Sequence, residues 1–342
     1  MANVRLGRTE LVSPKNGFGG LPIQRLSMDE AYRLVRKAFD NGIVFYDTAN
    51  SYSDSEEKLG YALRDIRDQV IIATKTKAAT VEAFWKDLER SLELFNTDHI
   101  DLYQFHNPAV IPMPGDGTGM YEAMLEAKAQ GKIDHIGISA HKIHVAYDAV
   151  NSGLYEAIQY PFSYLADEEE FKLVELCKQK DVGFIAMKGM AGGLLNNGRI
   201  AYAFMEQFDN VLPIWGIQKD AELDEFLSCI DNLPAFDDEA KAIIAKDQAE
   251  LTGDFCRGCG YCKPCPMGIE INNCARVGLQ IRRTKEAGYF TQAYQEKMEK
   301  VKDCIKCGQC MSRCPYGLNI PELLEKHYAE YQGYLAKHLA EL

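Results

Sequence analysis

Four ionisable side chains stand where strand-like runs of the chain end or have just ended. Ile43-Val44-Phe45-Tyr46 closes on Asp47, with Tyr52 five residues further on; Val70-Ile71-Ile72-Ala73-Thr74 closes on Lys75; Ile100-Asp101-Leu102-Tyr103-Gln104-Phe105 closes on His106. Short apolar runs of this kind are buried strands. A carboxylate at the end of one needs a partner, because an isolated buried charge is costly. Singly, each has an ordinary explanation: a helix cap, a loop aromatic, a solvated strand end, a core histidine. Together they are candidates for a single site.

A second constellation is made of sulfur. Nine of the eleven cysteines fall between Cys256 and Cys314, while Cys177 and Cys229 stand alone. An odd total without a secretory signal argues against a disulfide framework and for metal ligation. Cys304, Cys307, Cys310 and Cys314, followed by Pro315, reproduce the C-x2-C-x2-C-x3-C-P spacing of bacterial ferredoxins. Close spacing and Gly308 give the tight backbone on which thiolates surround a [4Fe–4S] cluster, and favour it over a four-thiolate zinc site. Upstream, Cys256, Cys259, Cys262 and Cys265, followed by Pro266, are one residue short of that spacing. They resemble the other half of a two-cluster module, in which the fourth cysteine of each run ligates the other cluster. That resemblance pairs Cys256, Cys259 and Cys262 with Cys314, and Cys304, Cys307 and Cys310 with Cys265, across a helical insert at 273–301. Cys274 is left over, as a buried thiol in preference to a substitute ligand.

The elements that must position the first group alternate along the chain. After a short hairpin around Gly7-Arg8-Thr9, strands are predicted at 18–20, 43–49, 70–75, 100–106, 135–140, 157–162, 183–188 and 211–217. Helices are predicted between Ser27 and Gly42 and near 55–64, 80–94, 119–130, 142–151, 167–180, 199–208 and 220–231. The first is opened by a Ser27–Glu30 capping box and carries a stripe of Ala31, Leu34, Val35, Ala38 and Phe39. Eight strand-then-helix units close a parallel barrel. The competing open sheet lacks a G-x-G-x-x-G turn after its first strand. The predicted fold class is therefore α/β, a (β/α)8 TIM barrel over 1–235, joined by an acidic, partly helical linker at 236–255 to a small, mainly helical two-cluster ferredoxin-like domain at 256–342. The strand ends of a barrel converge on one face, which makes neighbours of Asp47, Tyr52, Lys75 and His106.

The 342 residues are 46% hydrophobic and carry a net charge of −12. That balance argues against the basic face needed to bind nucleic acid or an anionic membrane. The opening MANVRLGRTELV lacks a signal peptide's apolar run and no later run is long enough to span a bilayer, so a cytoplasmic protein is expected.

The motifs YDTANSY, ATK, IDLYQFH and GIS, in that order over roughly residues 1–235, resemble those of the aldo-keto reductases. The resemblance implies hydride transfer between a nicotinamide and a small carbonyl substrate, with Asp47, Tyr52, Lys75 and His106 as the catalytic four. A phenol is a weak acid at neutral pH, and a neighbouring ammonium favours its phenolate. Tyr52 is thus the general acid, Lys75 its tuning cation, Asp47 the group that holds Lys75, and His106 the group that orients the carbonyl. The resemblance also places Ser139 and Gln159 on the nicotinamide amide; Ala140 stands where asparagine is expected, with His141 as its replacement. Lys219 is the candidate for the 2′-phosphate of NADPH, but two nearby acids, Asp220 and Glu222, leave NADH open.

Two functions follow. One is an NAD(P)H-dependent reductase whose clusters serve structure or carry electrons to a redox partner protein. The other is an iron–sulfur electron-transfer protein whose barrel binds a flavin or is catalytically vestigial; no flavin motif is visible, although direct exchange between nicotinamide and cluster needs such an intermediary.

Overall fold

The computed structural model describes residues 3–251, 255–284 and 287–340. Residues 1–2, 252–254 of the expected linker, 285–286 of the helical insert and 341–342 lie outside the described residues. The chain divides into two compact units, Met1–Gly189 with Gly198–Ala240, and Met190–Asn197 with Lys241–Leu342.

The first unit opens with an antiparallel hairpin of β1 (Asn3–Arg5) and β2 (Val12–Pro14). Eight strands follow: β3 (Gly17–Gly19), β4 (Phe45–Asp47), β5 (Ile71–Thr76), β6 (Ile100–His106), β7 (Ile133–Ser139), β8 (Ala157–Pro161), β9 (Gly183–Met187) and β10 (Val211–Gly216). Each pairs in parallel with the next, and β10 pairs back to β3, closing the barrel. Helices α1 (Met28–Asp40), α2 (Ser55–Leu63), α3 (Val81–Phe95), α4 (Met120–Ala129), α5 (Ile143–Ser152), α6 (Glu168–Gln179), α7 (Gly198–Met205) and α8 (Asp220–Asp231) alternate with them. The predicted (β/α)8 class holds, with β4 shorter at both ends than the run that announced it.

Local chemistry explains the elements. Ser27 and Glu30 form both bonds of the capping box on α1, which buries Ala31, Leu34, Val35 and Ala38. Thr80 caps α3, which buries Phe84, Leu88, Leu92 and Phe95 and ends on Asn96 in the left-handed region. Inside the barrel, Phe45, Ala73, Leu102, Ala157, Ile185, Leu212 and Ile214 pack into one core, with Val4 and Leu6 of the hairpin region packed into it. Side chains alternate across a strand. Every second residue after these core positions therefore also points inward, towards the C-terminal mouth.

The second unit is mainly helical: α9 (Asp238–Glu250), which begins in the first unit, then α10 (Ile271–Cys274), α11 (Val277–Thr284), α12 (Gln292–Glu299), α13 (Gln309–Ser312) and α14 (Ile320–Ala340). Its core gathers Cys256, Cys262, Ile269, Ile271, Val277, Met298 and Leu324 around α14, whose Tyr328, Tyr331 and Leu335 pack on the same side. Among the described residues no helix is long and apolar enough to cross a membrane.

The contact of α2 with α3 is tight enough to require glycine: a Cβ on Gly60 would fall 2.0 Å from the Leu94 carbonyl oxygen. Gly60→Ala is expected to destabilise the barrel by about 1–3 kcal/mol through overpacking, read as a lowered urea midpoint.

Candidate active site

The alternation that builds the core also delivers the site. Two residues beyond Phe45, Ala73 and Ala157 stand Asp47, Lys75 and Gln159, and four beyond Leu102 stands His106. Register sets their levels: Asp47 lies beside Ala73, Lys75 beside Gln104, His106 beside Ser139, and Ser139 beside Gln159.

At the centre, Lys75 Nζ donates to both oxygens of Asp47, at 2.6 and 2.8 Å, and to the Thr48 carbonyl at 2.5 Å. The two side chains retain only 1% and 4% of their exposure. Burial pushes Asp47 above the usual carboxylate range and Lys75 below the usual lysine range, and the opposite charge of each resists the other's shift. Gln159 Nε2 adds a donor to Asp47 Oδ2 at 3.4 Å.

Tyr52 is half-buried beside this pair. Lys75 Nζ lies 5.6 Å from its ring centroid, and the His106 ring meets it edge-on at 5.5 Å. His106 is held well below the usual imidazole range, first by burial and then by Lys75, Lys77 and Lys188. It is therefore neutral at pH 7. The structure brings all four of these residues together.

Around them, Ser139 Oγ accepts from the Asn107 N–H at 3.1 Å, and Gln104 Nε2 donates to Gln159 Oε1 at 3.1 Å. Gln104 Oε1 is buried and, among the described residues, has no partner. Ser139, Gln159 and this orphaned acceptor form a donor and acceptor set that suits a carboxamide. Ala140 is fully buried and offers it no side-chain donor. His141 is buried close by, its N–H donating to Asn107 Oδ1 at 3.0 Å, and burial followed by Lys188, His106 and Lys77 holds it well below the usual range. Lys219 is exposed at the start of α8, where its N–H and that of Gln218 both donate to Glu222.

Several participants escape the sequence analysis. Glu56, on α2, is buried behind Lys75 and accepts from Thr74 Oγ1 at 2.6 Å and Ser91 Oγ at 2.7 Å; burial raises its pKa. Nothing in its sequence context distinguishes it from a solvated helix acid. Asn107 does carry a signal: its φ of +54° is one that asparagine tolerates, and it directly follows a strand-end histidine.

The chain belongs to the aldo/keto reductase family, whose model matches residues 15–211. Residues 255–319 match the 4Fe-4S dicluster domain. Among curated relatives, the aldo-keto reductase YhdN of Bacillus subtilis is 30% identical over 213 residues, 58% of this chain and 63% of its own. L-galactose dehydrogenase of Arabidopsis thaliana is 29% identical over 209 residues, 56% of this chain and 66% of its own. The chain thus spans somewhat under two thirds of these relatives' lengths. Of solved structures, the holo form of aldo-keto reductase AKR11C1 from Bacillus halodurans superposes with a TM-score of 0.63 at 22% identity, over 72% of this chain and 96% of that one. An aldo-keto reductase from Klebsiella pneumoniae in complex with NADPH gives 0.59 at 22%, over 72% and 94%.

In the second unit, Cys265, Cys304, Cys307 and Cys310 line one pocket together with Cys262. Cys256 has Cys259 and Cys314 within electrostatic reach. Among the described residues no three of these thiols come within 4.8 Å of one another. Cys274 is fully buried, with its thiol pushed up to about 12 by burial.

Two outcomes follow for the barrel site. Lys75→Met leaves Asp47 buried without a cation and should cost about 3–5 kcal/mol; the double variant Asp47→Asn/Lys75→Met should recover much of that, both read by urea unfolding. As pH falls below about 6.5, the unfolded chain gains protons that buried His106 and His141 refuse, so stability should fall, by up to about 1.4 kcal/mol per histidine per pH unit. Replacing both histidines with Gln should flatten the unfolding midpoint between pH 5 and 7.

Proposed function

We propose that the barrel reduces a small aldehyde or ketone with NADPH, and that Tyr52 is the general acid. The observation that carries this is the buried Asp47–Lys75 pair, which sets a fixed cation against the Tyr52 ring opposite a neutral His106.

A bound nicotinamide supplies the hydride. As negative charge grows on the carbonyl oxygen, the Tyr52 hydroxyl hands it a proton, and the Lys75 ammonium stabilises the phenolate left behind. Asp47 keeps Lys75 charged and pointed. Neutral His106 donates a hydrogen bond that orients the carbonyl. In the reverse direction Tyr52 is the base. Ser139, Gln159 and His141 hold the carboxamide of the cofactor. Lys219, carrying one charge against Asp220 and Glu222, makes a weak phosphate contact, so NADH competes with NADPH. The NADPH complex of the Klebsiella relative supports the choice of cofactor.

The second unit holds two [4Fe–4S] clusters, one on Cys256, Cys259, Cys262 and Cys314 and one on Cys304, Cys307, Cys310 and Cys265. Support comes from the pocket that Cys265 shares with the downstream three, and from Cys314 lying among the neighbours of Cys256. Such clusters move single electrons, serving a redox protein partner. A cytoplasmic setting fits cysteines that form no disulfide.

Tyr52→Phe should lower kcat for carbonyl reduction by about 10²–10⁴-fold, with iron and sulfide content unchanged. Wild-type turnover in that variant would remove Tyr52 as the acid.

A further inference from the structure

Arg276, between α10 and α11, is a buried guanidinium without a carboxylate. It is 8% exposed, with Nε donating to the Asn272 carbonyl at 2.9 Å and Nη1 to the Gly192 carbonyl at 2.7 Å. Both partners are neutral. Among the described residues no acid pairs with it, and the groups that favour its charge are Cys256, Tyr289, Tyr294 and Cys259. Guanidinium stays charged at any accessible pH. A buried cation of this kind needs an anion.

Its position shows which one. The guanidinium rests on the turn between Cys256 and Cys259: Gly258 holds a φ of +69°, and a Cβ there would lie 2.6 Å from Arg276 Cζ. The Gly258 N–H points to Cys256 Sγ at 3.4 Å. The geometry is fixed from the other side as well. Gly192 belongs to the segment Met190–Asn197 of the same unit, which Arg283 also holds through the Leu194 carbonyl, while Arg283 is itself anchored by Asp247 at 2.6 Å and Glu250 at 2.9 Å.

We propose that Arg276 is the built-in counter-ion of the upstream cluster, that on Cys256, Cys259, Cys262 and Cys314, and that it sets this cluster's reduction potential above that of the downstream one. The inference rests on the cluster assignment above. One-electron reduction adds a negative charge, and a fixed cation in a low-dielectric site favours the reduced form. The downstream set is treated differently. Lys306, which lines its pocket, is 64% exposed and already paired with Glu325 at 2.6 Å, where water screens it. An electron shared between the two clusters therefore rests on the upstream one, and Arg276 is a positioning residue for electrons rather than a ligand.

The test is an anaerobic redox titration of the full chain with its clusters in place, followed by electron paramagnetic resonance, for wild type, Arg276→Gln and Arg276→Lys, with iron and sulfide counted in each. In Arg276→Gln the higher midpoint should fall by at least a tenfold change in the oxidised-to-reduced ratio, ~59 mV for one electron, while the lower midpoint stays in place. Arg276→Lys keeps the charge and should stay near wild type. A fully loaded Gln variant with both midpoints unmoved, or a Lys variant that falls as far as Gln, overturns the role of Arg276. Should the Gln variant lose iron, the Lys variant decides: a midpoint near wild type supports the proposal, and a tenfold or larger shift overturns it. Wild-type protein without iron and sulfide overturns the cluster assignment itself, a separate failure.

Discussion

A lysine and an aspartate, both almost wholly removed from water, face each other inside the barrel, and the site is arranged around keeping them charged. Two donated hydrogen bonds to the carboxylate and one to the Thr48 carbonyl use all three ammonium protons of Lys75. Such a pair contributes little net stability, since desolvation offsets attraction. Its value is positional. It fixes a cation at a chosen distance from a phenol and, by the same charge, helps keep the nearby imidazole neutral.

The barrel is what makes that burial feasible. Its core fills the lower interior with apolar side chains, and the strand period then turns Asp47, Lys75, Gln159 and His106 towards the mouth without further instruction from the loops. Glycine is used where that interior is crowded: a Cβ on Gly137 would come 2.9 Å from Gln104 Cγ, displacing the residue that braces Gln159. The second unit follows the same logic with different atoms. A buried cation, Arg276, again sits without water, here against the turn between Cys256 and Cys259 rather than against a carboxylate.

The strands, helices and closed topology were legible because each unit carries its own period and caps, as with Ser27 and Glu30 on α1. That Asp47, Tyr52, Lys75 and His106 are neighbours was legible because positions at and just after strand ends converge in a barrel whatever their separation in sequence. Glu56 was not, since its burial depends on how α2 seats against β5 and α3, a tertiary fact with no local trace. The same holds for Arg276, which looks like any helix-flanking arginine until the Gly258 turn is folded over it. The membership of Met190–Asn197 in the second unit was likewise hidden, because the segment lies within the barrel's own stretch of sequence and its partners lie some ninety residues further on.

The most direct measurement is the rate of carbonyl reduction by the double variant Asp47→Asn/Lys75→Met, assayed with NADPH at a temperature where it is fully folded. This variant keeps the packing and removes only the charges. If the fixed cation is what makes Tyr52 a competent acid, turnover falls by two orders of magnitude or more while the fold and cluster content persist. Turnover at the wild-type rate would contradict the account at its centre.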